Sequence, residues 1–235
     1  MITRLRTWLA RQLNPQCEFC GLPRLLTQPL CAGCYEDLPW LAVQYNQPTL
    51  YCQQTISAFA YQSPISNLLL AIKFGRDLGK LSTLSTLTAE AILQQIDRVP
   101  EAILPIPLHR QRLRKRGFNQ ALELARPLAQ RLHIPLLTDA VIRQKATHAQ
   151  TELNFEQRQK NLQQAFQLNK PLPYQHIIIF DDVITTGATT ASLASLLQQH
   201  GVKRVDSWSC ARAISHAPHP VNSSGVLQKQ IKLKT

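Results

Sequence analysis

Three things are scarce in this 235-residue chain: acidic residues, aromatic residues and long apolar runs. With 14 acidic against 26 basic residues the formal net charge is +12, which favours anionic partners such as polyphosphates, nucleic acid or an acidic surface. Aromatic residues make up 6% of the chain, so no stacking platform for single-stranded nucleic acid is evident. No stretch approaches the roughly 18 apolar residues of a membrane span, and the first residues lack the apolar core of a signal peptide. We therefore expect a cytoplasmic protein without membrane insertion.

The most informative segment begins with four apolar residues at 177–180. A run that is apolar at every position predicts a parallel β-strand covered on both faces, because such a strand has no side turned to solvent. Asp181 and Asp182 follow it, and then comes a short loop of small residues around Gly187. Residues 191–200 have the apolar spacing of a helix. The segment predicts a strand, a loop and a helix in succession.

The predicted loop has the composition of a phosphate-binding site. Its amides and the positive end of the following helix attract a phosphate dianion, and Gly187 lets the backbone approach the ligand. The threonine hydroxyls that can donate further hydrogen bonds are those of Thr185, Thr186, Thr189 and Thr190. Two carboxylates beside a phosphate indicate a neutral or cationic neighbour, either sugar hydroxyls or Mg²⁺. A phosphate together with a vicinal diol describes a ribose 5-phosphate.

A plain Rossmann-like turn capped by threonines is the structural alternative, whereas a Walker loop is excluded because no Gly-Lys-Ser/Thr follows. The run from Asp181 to Thr189 resembles the phosphoribosyl pyrophosphate (PRPP) signature of the type I phosphoribosyltransferases. The resemblance implies an α/β fold with a five-stranded parallel sheet flanked by helices, a mobile loop over the site, and PRPP bound with Mg²⁺. It also implies that Asp181 and Asp182 are the catalytic pair and hold the ribose hydroxyls. The residues implied for the 5′-phosphate are Thr185, Thr186, Gly187, Ala188 and Thr189.

A cationic segment follows the strand predicted at 102–108. It begins with His109 and continues with five cations within seven residues, namely Arg110, Arg112, Arg114, Lys115 and Arg116. Ligands of open α/β sheets bind at the carboxyl ends of strands, so we expect a pyrophosphate on this basic loop. The resemblance implies that His109 and Arg110 bind PRPP at its pyrophosphate, with the other arginines of the loop nearby. A nucleic-acid patch and an inert exposed surface are the alternatives. A helix is predicted at 120–132.

Residues 143–161 are polar and basic and have no regular apolar spacing, which is typical of a mobile lid. The cations assigned to this lid are Arg143, Lys145 and Arg158. His148 within it can act as an acid or base, although an isolated loop histidine more often has no such role.

Four of the six cysteines form two Cys-x-x-Cys pairs, Cys17 with Cys20 and Cys31 with Cys34. This spacing predicts a tetrahedral Zn²⁺ site, and four protein ligands leave no position open for catalysis, so the site is structural. A redox pair is the alternative, and disulfides are disfavoured in a cytoplasmic protein. The other two cysteines are predicted to be buried as small apolar side chains.

We predict three regions along the chain. Residues 1–55 contain a basic amphipathic helix at 1–13, the zinc ribbon and a linker from residue 35 onward. Residues 56–215 form the phosphoribosyltransferase-like domain, and 216–235 form a disordered tail. The first helix either packs on its own protein or binds a membrane surface.

The order of these motifs resembles the ComF family of phosphoribosyltransferase-like proteins over about residues 17–212. The residues that carry the resemblance are the four-cysteine ribbon, Lys73-Phe74, Pro105–His109, Arg114–Gln120, the spaced set from Arg143 to Asn161, and Asp181–Thr189. The resemblance implies a single zinc ion and a link to the uptake or use of external DNA.

Three functions are consistent with these motifs. The first is a Mg²⁺-dependent phosphoribosyltransferase whose acceptor the sequence does not identify. The second is a competence factor that binds single-stranded DNA and protein partners of a DNA-uptake machinery. The third is a PRPP-binding regulatory protein without catalysis.

Overall fold

The computed structural model describes residues 15–25, 28–46, 48–74, 79–144 and 165–214. These residues divide into two compact units, one of residues 15–39 and the other of residues 40–214. The helix predicted at 1–13, the tail predicted at 216–235 and most of the predicted lid lie outside the described residues.

The first unit contains one short helix, α1 (Ala32–Glu36). The strands of the second unit are β1 (Thr55–Ala60), β2 (Ala102–Pro105), β3 (Val141–Arg143), β4 (Phe166–Leu168), β5 (His176–Ile184) and β6 (Arg204–Arg212). Its helices are α2 (Ile65–Lys73), α3 (Gly79–Leu93), α4 (Arg110–Arg116), α5 (Gln120–Leu132) and α6 (Ala188–Gln199), and a 3₁₀ turn spans Val43–Tyr45.

Four strands form a sheet in the order β1-β6-β5-β2, and every neighbouring pair is parallel. The four apolar residues at 177–180 are all buried, as their uninterrupted apolar character predicts, and so is His176 before them. Helix α6 packs against β5 and β6. Helices α3 and α5 pack against each other, α3 also against β1 and β6, and α5 also against β5 and β2. The predicted fold class, a parallel sheet flanked by helices, is confirmed.

The fifth strand that the resemblance implies is reduced to one parallel bridge between Ile103 and Leu136. Two backbone hydrogen bonds support it: the Ile103 N–H donates to the Pro135 carbonyl at 3.0 Å, and the Leu137 N–H donates to the Ile103 carbonyl at 2.8 Å. Pro135 has no N–H to extend the ladder, which limits pairing along this edge. Strands β3 and β4 pair separately, in an antiparallel two-stranded sheet.

Within the described residues, no helix is both long and apolar enough to cross a bilayer.

Candidate functional site

The sheet changes its winding direction between β5 and β2. From β5 the chain passes through α6 to β6 on one side, whereas from β2 it passes through α5 to the bridge at Leu136 on the other side. The loops that leave the carboxyl ends of β5 and β2 therefore diverge and leave a crevice, which is where open α/β sheets bind ligands. Both motifs singled out from the sequence lie at these carboxyl ends: residues 181–189 at the end of β5, and the basic segment after β2.

The loop after β5 ends at Gly187, the N-cap of α6, with a φ of 73° that glycine adopts without steric cost. The Ala188 N–H donates to the Thr186 hydroxyl at 3.4 Å, and the first intrahelical bond runs from the Ala191 N–H to the Gly187 carbonyl at 2.8 Å. The first turn of a helix leaves N–H groups without an intrahelical acceptor, so this end can bind an anion. An open pocket is lined by Asp181, Val183, Ile184, Thr185, Thr186, Gly187, Ala188, Thr189 and Thr190.

Asp181 and Asp182 lie within β5 rather than after it, since the parallel ladder with β6 continues to Ile184. Their two carboxylates lie beside each other at the carboxyl edge of the sheet, close enough to interact directly. Each carboxylate accepts a hydrogen bond from the following backbone N–H: Asp182 donates to Asp181 Oδ1 at 2.8 Å, and Val183 donates to Asp182 Oδ1 at 2.9 Å. Burial, together with the neighbouring Asp182 carboxylate, raises the pKa of Asp181 well above its usual value, and Arg143 only partly opposes this.

Because the pKa of Asp181 is raised, ionisation of this carboxylate destabilises the folded state. The native state holds this proton more tightly than the unfolded chain, so the free energy of unfolding falls as pH rises above about 4. We expect Asp181→Asn to remove this penalty, making the variant more stable than the wild type by a margin that grows from pH 4 to pH 8. Denaturant melts of both proteins across this range measure the margin, and a difference that shrinks with rising pH would contradict it.

The basic segment, predicted as a loop, is a helix instead. His109 caps α4 by accepting a hydrogen bond from the Gln111 N–H at 3.4 Å, and Gly117 ends it in the left-handed conformation with a φ of 83°. Arginine and lysine are good helix formers, and cations in the last turn favour the negative end of the helix. The prediction of a loop was wrong because it rested on the high density of charge and overlooked the residues that cap a helix at either end.

Two arginines lie near the carboxylates, and a third lies near these two arginines. Burial lowers the pKa of Arg116, with Asp182 opposing the shift and Arg112 adding to it. Burial also lowers the pKa of Arg143, with Arg112 adding to the shift and Asp181 opposing it. Arg116 is therefore within electrostatic range of Asp182 and Arg143 within range of Asp181, while the exposed Arg112 is within range of both arginines. The Arg143 guanidinium also lies 5.4 Å from the centroid of the Phe166 ring, which orients it by a cation–π contact.

The remaining cations of α4 point elsewhere. At 100° per residue, Arg110 and Arg114 lie on the side of the helix opposite Arg112 and Arg116, and both are exposed, as is Lys115. Lys145, His148 and Arg158 of the predicted lid lie outside the described residues.

One contact to the loop was missed in the sequence. Residues 40–54, interpreted as part of a linker, belong to the main unit, and Thr49 lies directly against Gly187. Nothing in the local composition around Thr49 indicates this contact, because it depends on how distant segments pack.

In the first unit, the sulfur atoms of Cys17, Cys20, Cys31 and Cys34 all lie within 4.8 Å of one another. The Cys20 and Cys31 sulfurs are 3.6 Å apart, close to the roughly 3.8 Å edge of a tetrahedron with zinc–sulfur bonds of about 2.3 Å. Burial raises the pKa of Cys17, but hydrogen bonds from nearby backbone N–H groups outweigh it and lower the pKa to about 6. The cluster fits a structural zinc site.

No protein-family model matches the chain. Among curated proteins, it is 34% identical over 203 residues to DNA utilization protein YhgH of Escherichia coli (strain K12), covering 84% of each chain. It is 33% identical over 209 residues to competence protein F of Haemophilus influenzae, covering 85% of each. It is 26% identical over 189 residues to competence protein ComFC of Bacillus subtilis, covering 79% of this chain and 72% of that protein.

Among solved structures, a purine phosphoribosyltransferase from Pyrococcus horikoshii aligns with 58% of this chain and 84% of its own, at 15% identity and a TM-score of 0.33. That likeness is too distant to support an assignment. The similarity to YhgH and competence protein F extends over most of all three proteins, at more than 30% identity. The chain therefore belongs to the ComF family.

Proposed function

We propose that the protein is a cytoplasmic, Mg²⁺-dependent phosphoribosyltransferase that binds PRPP and transfers its phosphoribosyl group to an acceptor not yet identified, in a process linked to DNA uptake or utilisation. The observation that carries the proposal is the meeting of three groups at one crevice. An anion-binding helix terminus, a pair of carboxylates and a set of arginines match the three parts of PRPP: its 5′-phosphate, its ribose diol and its pyrophosphate.

Each part of the site has a distinct task in the proposed reaction. Amides and hydroxyls from Thr185 to Thr189 bind the 5′-phosphate and so fix the ribose. Asp181 and Asp182 accept hydrogen bonds from the ribose hydroxyls. Their carboxylate oxygens are also the donors that Mg²⁺ prefers, and the bound ion would supply positive charge beside the pyrophosphate.

The bond between the anomeric carbon and the pyrophosphate oxygen breaks with its electron pair leaving on pyrophosphate, and the acceptor forms the new bond to that carbon. Guanidinium groups of Arg112, Arg116 and Arg143 stabilise the leaving charge. Within the described residues these three arginines outnumber the carboxylates of Asp181 and Asp182. The excess of positive charge favours binding of an anion in the crevice. The ribbon, with four thiolate ligands, contributes structure rather than chemistry.

The two sides of α4 provide a matched test. Replacing Arg112 and Arg116 by glutamine should weaken PRPP affinity by about tenfold per arginine, since a charge-assisted hydrogen bond contributes roughly 1.5–3 kcal/mol. Replacing Arg110 and Arg114 by glutamine removes the same charge from the opposite side and should change the affinity little. Titration calorimetry with PRPP and Mg²⁺ compares the two variants. Equal losses would point to a diffuse electrostatic effect and count against a pyrophosphate site.

The exposed cations of α4 and the names of the relatives support a second candidate function, binding of single-stranded DNA. In this case the variant with Arg110 and Arg114 replaced should lose affinity for an oligonucleotide. A plot of the logarithm of the binding constant against the logarithm of the salt concentration should become shallower by about 0.7 per lost phosphate contact. Fluorescence anisotropy at several salt concentrations measures both. A wild type that binds no DNA at low salt would eliminate this function.

The third candidate, a PRPP-binding regulator, shares the site but not the chemistry. Pyrophosphate release separates the two: a transferase releases it from PRPP when supplied with its acceptor, and a regulator binds PRPP without releasing it.

A further inference from the structure

The loop that caps α6 is in close contact with Thr49. A Cβ atom added to Gly187 would lie 2.8 Å from Thr49 Cγ2 and 3.4 Å from Thr49 Cβ, so no space separates the two residues. We propose that Thr49 is a positioning residue that holds the loop of residues 185–187 in the shape that binds a phosphomonoester. The proposal rests on the proposed function and adds a segment that the motif itself does not contain.

Thr49 is well fixed for this task. Its backbone N–H donates to the Thr55 hydroxyl at 3.1 Å, and its own hydroxyl lies 3.4 Å from the same oxygen. Thr55 is fully buried as the first residue of β1, whose register partner in the sheet is Ser207. A β-branched side chain has restricted χ1 freedom, so these contacts aim the Thr49 methyl group at Gly187. The sheet thereby supports the loop from a second direction.

The turn that carries Thr49 is anchored at its other end as well. The Cys52 N–H donates to the Thr49 carbonyl at 3.0 Å, and the Gln198 side-chain amide donates to the Tyr51 carbonyl at 3.0 Å. Cys52 is 7% exposed and packs in the core cluster that contains Leu193 and Leu197 of α6. The turn from Thr49 to Cys52 therefore contacts α6 at two places. Tyr51 contacts the helix near its carboxyl end, and Thr49 contacts the N-cap residue at its start.

A preformed loop binds phosphate more tightly because ligand binding does not have to pay for ordering its amides. Gly187 cannot supply this order itself, since glycine is the residue with the greatest backbone freedom. The contact with Thr49 limits that freedom without occupying the pocket. We expect the loop to lose affinity when the methyl group is removed, even though the fold is kept.

The experiment compares Thr49→Ser, Gly187→Ala, the double variant and a control, Leu50→Ala, which alters an exposed side chain in the same turn. Ribose 5-phosphate and inorganic phosphate are the probes, titrated by calorimetry. Hydrogen exchange of amides 185–190 and melting temperatures are recorded for every protein without ligand.

Thr49→Ser keeps the hydroxyl and removes the methyl group. It should speed amide exchange at 185–190 and weaken ribose 5-phosphate binding severalfold, with a melting temperature close to that of Leu50→Ala. Gly187→Ala should weaken binding by about tenfold or more, because of the close contact and the left-handed backbone. Adding Thr49→Ser to Gly187→Ala should restore part of the loss, since it removes the atom that the new Cβ meets.

The inference would be overturned if Gly187→Ala weakened binding equally in the wild type and in Thr49→Ser, and if Thr49→Ser left amide exchange at 185–190 unchanged. A wild type that binds neither probe would refute the proposed function instead, and the exchange rates and melting temperatures would still decide whether Thr49 and Gly187 are coupled.

Discussion

Replacing both Asp181 and Asp182 by asparagine will weaken binding of PRPP in the presence of Mg²⁺ by about 100-fold or more, while the protein stays folded. Two charge-assisted contacts to the ribose hydroxyls, at roughly 1.5–3 kcal/mol each, account for this loss. Asparagine has nearly the same shape as aspartate, and the substitution removes two adjacent carboxylates, one of which has a strongly raised pKa. Stability should therefore be unchanged or higher.

Calorimetric titration of the double variant beside the wild type measures the loss, and circular dichroism melts check the fold. A suitable control is Asp139→Asn, which removes an exposed carboxylate paired with Lys170 on the surface. If the control loses as much affinity as the double variant, the effect belongs to net charge and the assignment of the Asp181–Asp182 pair fails. Retained affinity in a folded double variant would have the same consequence.

Replacing Cys17 and Cys20 by serine should release the zinc ion and abolish the structure of residues 15–39. Structural zinc binding contributes roughly 10–16 kcal/mol at neutral pH in small metal-dependent folds. Within the described part of this unit, the buried apolar side chains are those of Cys17, Leu30, Leu38 and Pro39. So few residues cannot form a stable core without the metal. Residues 40–214, which have their own core, should keep their structure.

Zinc content per chain, with hydrogen exchange of the two units, tests this expectation. Cys52→Ala is the matched control: Cys52 packs in the core of residues 40–214 and is not part of the four-cysteine cluster, so its loss should leave one zinc per chain. A double serine variant that keeps its zinc, or a control that loses it, would show that the metal site is assigned to the wrong cysteines.

Local patterns were sufficient where one segment determined its own structure. Helix α5 spans Gln120–Leu132 as predicted, because Asn119 caps it and its apolar residues recur at helical spacing. The apolar run of β5 identified the central strand, and the Cys-x-x-Cys spacing identified the cysteine cluster. In each case the determining residues are neighbours in the sequence.

Other features depend on partners far away in the chain. The ladder with β6 extends β5 past the two aspartates, and side-chain polarity gives no sign of this because the pairing uses backbone groups. The contact of Thr49 with Gly187 and the approach of Arg143 to Asp181 both follow from how separate segments pack on the sheet. The composition of a segment cannot report such contacts.

Titration of the zinc-loaded protein with PRPP, with and without Mg²⁺, tests whether PRPP binds at the crevice between β5 and β2. We expect saturable binding in the micromolar range that is strengthened by Mg²⁺ and competed by both ribose 5-phosphate and pyrophosphate. A folded protein that takes up no PRPP with Mg²⁺ would contradict both the transferase and the PRPP regulator, and would leave DNA binding as the function to pursue.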